Sequence, residues 1–274
     1  MPLPTLTVPL RGRGRPRTQA PKIRSTVVIS DLHCPDLDPA AYGAVLSFIK
    51  DKCPDYLIIA GDLLDLYTAS RFEKDPRIIN RTQEELEMAN DVLDQLQEAS
   101  PSSIMKITMG NHEARLTHRL FENPDILEYT TKAGDPNDVL ANALSLSERG
   151  IDWIPYPYAF NHYGFTICHG QAVGQHPAKK EAEKYGLSGC SGHIHRGRYW
   201  ESKNRRGLTQ WWSLGGLCKH DVAYLPENDW THSFGYLEQV VDSDAFTFHP
   251  LTIVSGRFLF GGKLYCSEGA FETV

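Results

Sequence analysis

Five short sets of metal-binding residue types, each directly after a strand-like apolar run, constrain this chain more than any other feature. They are Asp31-Leu32-His33, Gly61-Asp62-Leu63-Leu64-Asp65, Gly110-Asn111-His112-Glu113, His169-Gly170 and Gly192-His193-Ile194-His195. The runs before them are 24–30, 55–60, 104–109, 164–168 and 187–191, of strand length and largely apolar or β-branched. Parallel strands of an α/β sheet end on one shared edge, so segments distant in sequence converge on one cleft. A lone histidine is ordinarily a core or surface residue, and a lone Asn-His pair a turn. Here order, spacing and strand-end placement all agree. His118, His162, His176, His220, His232 and His249 have no such context and read as ordinary residues.

The segments between the sets fit that scheme. Asp38-Pro39 reads as an N-cap and first helical residue, leading into Ala44, Val45, Phe48 and Ile49 at helical spacing, so the first two runs form a β-α-β unit. Leu86, Ala89, Leu93 and Leu96 mark one face of a second helix, with Thr82 and Glu85 at capping-box spacing at its start. Further strands are expected at 208–214 and 235–241, and with 164–168 and 187–191 they predict a second, more antiparallel sheet. Helical insertions are expected at about 66–100 and 114–150.

The residue types point to cations. In Asp-x-His and His-x-His, residues i and i+2 of an extended backbone present two donors to the same side. Carboxylate, imidazole and amide donors together suit Mn, Fe or Zn better than an all-oxygen Ca or Mg cage, with Mn the ion expected to work in vitro. Two ions need a bridge, and Asp62 offers two carboxylate oxygens to ions about 3.5–4 Å apart. Gly61, Gly110, Gly170 and Gly192 suit places where the backbone passes close to ions or substrate.

The ordered pattern D-x-H, G-D-x-x-D, G-N-H-E, H-G and G-H-x-H, over residues 31–195, resembles the calcineurin-like metallophosphoesterase superfamily. The resemblance implies a four-layer αββα sandwich of α/β class, with two mixed β-sheets and a dinuclear metal site at strand C-terminal ends. By motif position, Asp31, His33, Asp62 and His195 would hold one ion, and Asp62, Asn111, His169 and His193 the other. His112 would be the catalytic histidine, held by Asp65. The implied activity is phosphate-ester hydrolysis by attack of a hydroxide shared between the ions. Leu66-Tyr67 follows G-D-x-x-D where the protein Ser/Thr phosphatases have Arg-Gly, which disfavours a phosphoprotein substrate. Arg71, Arg77, Arg81, Arg115 and Arg119 are candidate replacements for the missing arginine; Arg115 and Asn111 are the expected substrate contacts.

Charge bears on the substrate. Residues 1–24 carry six basic side chains and no acid, so a chain of net charge −6 has a body at −12. Residues 1–22, rich in Pro, Gly and Arg, are expected to form a flexible basic arm before a domain spanning 23–274. Arg13-Gly14-Arg15-Pro16-Arg17 resembles an AT-hook, whose guanidiniums enter the minor groove of DNA; Arg13, Arg15 and Arg17 would be the DNA contacts. An arm that anchors nucleic acid would offset the repulsion of the acidic body. A nucleic-acid or nucleotide phosphodiesterase or phosphatase is therefore ranked first, before a small-molecule phosphomonoesterase and a catalytically silent DNA-binding accessory protein. Six scattered cysteines read as reduced thiols, with Cys34 and Cys168 in packing roles. No run is long enough to span a bilayer and no signal segment is present, so a cytoplasmic protein is expected.

Overall fold

The computed structural model describes residues 21–71, 81–122, 135–205, 207–221 and 227–273. Arg13, Arg15, Arg17 and Arg77 lie outside them, as does nearly all of the basic arm. Strands β1 (Ile23–Ile29), β2 (Tyr56–Ala60), β3 (Ile104–Thr108) and β4 (Asp152–Ile154) run parallel in one sheet. Helix α1 (Pro39–Lys52) links β1 to β2. It starts where expected, because the Asp38 carboxylate accepts from Ala41 N at 2.8 Å and Pro39 takes the first helical position. Helix α2 (Arg81–Ala99) precedes β3, and α3 (Asn111–Glu122) and α4 (Asp138–Ala143) lie between β3 and β4. The described parts of the insertions are thus largely helical, with turns at 144–150.

The second sheet has the order β5 (Ala159–His162), β6 (Phe165–Cys168), β7 (Gly189–Ser191), β9 (Gly207–Ser213) and β8 (Arg198–Asn204). Its centre is parallel and its edges antiparallel. The run expected at 235–241 does not join it. That run lies in β10 (His232–Val240), which pairs antiparallel with β1 and carries β11 (Phe246–Ile253) on its far side. Apolarity does not reveal this choice, since β10 is buried on both faces and its residues carry no one-sided alternation. A third, unanticipated sheet of β12 (Phe258–Phe260), β13 (Lys263–Cys266) and β14 (Gly269–Glu272) packs on α1.

Alternation along the central strands builds the layers. Val27, Ile29, Leu57 and Ile59 face α1 and α2, whereas Val28, Ile58 and Ala60 face Phe165, Ile167 and Cys190 of the second sheet. On the outer side of that sheet, Trp211 packs with Ala178 and Ala182 of α5 (Pro177–Tyr185). The order helix, sheet, sheet, helix is the four-layer sandwich that the resemblance implies. Thr82 and Glu85 do not form a capping box, because both lie inside α2. They hold the turn after Asp65 instead: Thr82 Oγ1 meets Thr68 Oγ1 at 2.7 Å, and Glu85 Oε1 accepts from Tyr67 N at 3.2 Å.

Phe48 knits α1 to both of its neighbours. Its ring lies 5.1–5.7 Å from those of Phe234, Tyr236, Phe258, Phe260 and Tyr265. Phe48→Ala should cost about 3–5 kcal/mol in urea unfolding, the range for an aromatic deleted from a core that cannot collapse around the gap. A loss below about 1 kcal/mol would show that the third sheet adds no packing to α1.

Candidate metal centre

All five sets meet at the C-terminal edge of β1, β2, β3, β6 and β7. The backbone route differs from the extended one expected for Asp-x-His and His-x-His. Asp31, His33, Asp62, His193 and His195 have φ of 53°, 47°, 51°, 76° and 53°, in the left-handed region. Such residues cost of order 1–3 kcal/mol each and persist where the surroundings fix them. Fixing contacts are present: Asp31 N donates to Gly61 O at 3.1 Å, His33 N to Asp62 O at 2.9 Å, and His193 N to both Asp31 oxygens at 3.1 and 3.0 Å. The sharp turns return each donor side chain to the cleft.

Two groups of donor atoms result. In the first, His195 Nε2 lies 3.1 Å from both Asp31 Oδ1 and His33 Nε2, and His33 Nε2 lies 3.6 Å from Asp62 Oδ2. In the second, His169 Nε2 lies 3.2 Å from Asp62 Oδ2 and 2.8 Å from Asn111 Oδ1, with His193 close by. Both groups therefore meet at one atom, Asp62 Oδ2. Asp62 Oδ1 is turned away from them and accepts from His112 N at 2.9 Å.

The outward-facing nitrogens fix the rings. His169 Nδ1 donates to Ala60 O at 3.0 Å, His195 Nδ1 lies 3.6 Å from Cys218 Sγ, and His33 Nδ1 lies 3.5 Å from Asp65 Oδ1. Each Nε2 is left pointing inward, the arrangement seen when a second contact orients a ligating imidazole. Asp31 and Asp62 are 0% and 1% exposed, and their ion-pair partners among the described residues are histidines. Buried carboxylates and imidazole nitrogens pressed this close are the donor set that a divalent cation satisfies.

Electrostatics agree. Burial would raise the Asp31 carboxyl, but His195 and His169 outweigh it and hold it at about 2. Asp62 also overcomes burial, through His112 and His169, and falls well below the ordinary range. Burial opposes a proton on His169 and His195; the carboxylates of Asp62 and Asp31 reverse that, to about 9 and about 10. His33 and His193 are lowered, chiefly by burial and then by neighbouring imidazoles.

His112 stands beside both groups, its Nε2 3.7 Å from Asp62 Oδ2. Its Nδ1 lies 3.0 Å from Asp65 Oδ1 and 2.8 Å from Asp65 O, the expected partner. Burial lowers His112, but Asp62 and Asp65 prevail and raise it. Arg115 places NH2 2.7 Å from His112 Nε2 and donates through NH1 to Asp65 O at 2.8 Å. The other described arginines of the insertions are engaged elsewhere: Arg71 with Glu122, Arg81 with Asp36, and Arg119 with Ser70 O.

Cys218 and Trp230 were not anticipated beside His195; the Trp230 ring is centred 4.2 Å from the imidazole. Cys218 was nonetheless findable, because its loop follows the strand expected at 208–214 and so reaches the same edge.

The glycines show how little room remains. A Cβ on Gly110 would overlap Asp62 Oδ1 and come within 2.5 Å of its amide nitrogen; one on Gly192 would overlap Asp31 Oδ2. Gly110→Ala should therefore displace Asp62 and lower bound manganese, measured by elemental analysis, below half that of the parent. Gly197→Ala, which meets nothing within 4 Å, serves as the control and should match the parent. Full metal content in Gly110→Ala would contradict the close fit.

Two relatives, each called Gene 54 protein, come from Mycobacterium phage L5 and Mycobacterium phage D29. They are 27% identical over 255 residues and 26% over 256, covering 87% of this chain and 97% of each relative. Among solved structures, Vacuolar Protein Sorting 29 from Cryptosporidium parvum is 13% identical with a TM-score of 0.46, over 92% of this chain and 99% of that one. A Vps29 single mutant from Entamoeba histolytica is 12% identical with a TM-score of 0.43, over 91% and 99%. The profile of the calcineurin-like phosphoesterases matches residues 25–213, a span that holds all five strand-end sets, and the chain belongs to that family.

Proposed function

We propose that this protein is a phosphoesterase that uses two divalent metal ions, a phosphodiesterase or phosphatase whose substrates are phosphate esters of nucleic acid or nucleotides. Asp31, His33, Asp62 and His195 would hold one ion, and Asp62, Asn111, His169 and His193 the other. The observation that carries this reading is the meeting of two donor groups at Asp62 Oδ2. Two ions bound there would act as Lewis acids on a phosphoryl oxygen and activate water near neutral pH.

The remaining work falls to the chain. His112 lies beside the donor groups, where it can give a proton to the leaving oxygen. Asp65 favours the protonated ring and fixes its plane through Nδ1, whereas the Arg115 N–H at Nε2 opposes protonation, so Nε2 carries the proton only once that contact is given up. A substrate oxygen arriving at His112 Nε2 would replace the Arg115 contact, and the guanidinium would become a second donor to the phosphate.

The basic arm supports a nucleic-acid substrate, because its charge would offset the repulsion of the acidic body. The arm joins at Ile23, eight residues before Asp31 and so roughly 26 Å away along an extended strand. From Ile23 back to Arg13 is ten residues, which reach at most about 35 Å, so a duplex held near Arg13 could still approach the cleft. No helix among the described residues is long and apolar enough to cross a membrane.

With Mn added, the protein should hydrolyse bis(p-nitrophenyl) phosphate or p-nitrophenyl phosphate. Removal of residues 1–22 should leave the rate on the small ester intact and reduce cleavage of DNA, and the difference should shrink as salt is raised. Unchanged DNA cleavage would contradict an anchoring arm; no turnover of either ester by protein carrying two ions would contradict the enzyme. Asp62→Ala should lose bound metal and activity together. His112→Ala should keep the metal while kcat falls by about 10²–10⁴-fold. Loss of metal from His112→Ala would assign that residue to ion binding instead.

A further inference from the structure

Glu113 closes the Gly-Asn-His-Glu set and has no part in the chemistry above, yet its carboxylate is among the most enclosed in the molecule, at 2% exposure. It accepts three backbone N–H groups. Oε2 takes Asp62 N at 3.1 Å and Gly110 N at 2.7 Å, and Oε1 takes Leu64 N at 2.9 Å. These amides belong to two loops, one after β2 and one after β3. The return connection runs the other way, from His112 N to Asp62 Oδ1 at 2.9 Å. Asp62 is thus clamped at both ends, its amide by a side chain of the first turn of α3 and its side chain by an amide of the same turn. The first turn of α3 carries Glu113, so the helix N-terminus offsets part of the buried charge.

We infer that Glu113 is a positioning residue for the metal centre: through these three amides it sets the placement of Asp62 at which one carboxylate oxygen faces both donor groups. The inference rests on the two-ion reading. Only a carboxylate of this length meets all three donors with acceptors. A carboxamide turns an N–H₂ group against at least one backbone N–H, and aspartate is shorter by one methylene. Either change leaves a buried donor unsatisfied and frees the Asp62 loop to move. A purely structural glutamate would, when replaced, lower stability without singling out the ions.

The test uses the full-length protein and its Glu113→Gln and Glu113→Asp variants. Binding of Mn²⁺ is titrated by electron paramagnetic resonance, and thermal unfolding is followed in EDTA. Glu113→Gln should bind Mn²⁺ about 10–100-fold more weakly, as for loss of an outer contact that orients a ligand, while its melting temperature in EDTA moves by a few degrees. Glu113→Asp should be weakened in the same direction, and supplies the reading if Glu113→Gln fails to fold. A parent that binds two ions, with variants that bind them as tightly, overturns this inference alone. A parent that binds no Mn²⁺ overturns the two-ion reading and this inference with it.

Discussion

The arrangement depends on the Asp62 carboxylate being held so that one oxygen is shared and the other is not. Oδ1 is fixed by the His112 amide, and Oδ2 is left facing His33, His112 and His169. Buried negative charge of this kind is costly unless neutralised. Imidazoles supply part of the compensation, and two bound cations would supply the rest. Position follows from the strand: Asp62 lies two residues beyond β2, the second parallel strand, with β1 on one side and β3 on the other. Donors from both neighbouring loops reach it without long excursions of the chain.

The sandwich serves that point of convergence. Parallel strands buried on both faces bring their C-terminal ends to one edge, and the second sheet contributes His169, His193 and His195 from its own strand ends. Left-handed backbone at five of the donor residues is the local cost. The tight fit at Gly110 and Gly192 shows that the loops are packed against the carboxylates, so the donor geometry belongs to the fold and is not left to side-chain adjustment.

Much of this was legible in the residues, and the failures have identifiable causes. Strand-end placement located all the proposed donors, and the Asp38-Pro39 signal located the start of α1. The partition of strands was not legible: β10 is apolar enough for either sheet, and its pairing with β1 is a long-range choice that no local period records. Donor presentation was misjudged because Asp-x-His reads as extended, whereas tertiary contacts hold it left-handed. Thr82 and Glu85 had capping-box spacing but lie within α2, where their side chains serve another loop. Contacts such as Cys218 with His195 and Asp65 with His33 join residues far apart in the chain or on different faces of a turn, and spacing alone does not reveal them.

The central claim is that one oxygen of Asp62 lies between two cations. The most direct measurement is anomalous diffraction from crystals of the full-length protein grown with manganese. Two peaks about 3.5–4 Å apart are predicted on either side of Asp62 Oδ2, the first within reach of Asp31, His33 and His195 and the second within reach of Asn111, His169 and His193. A single peak, or peaks that leave Asp62 uncoordinated, would contradict the account.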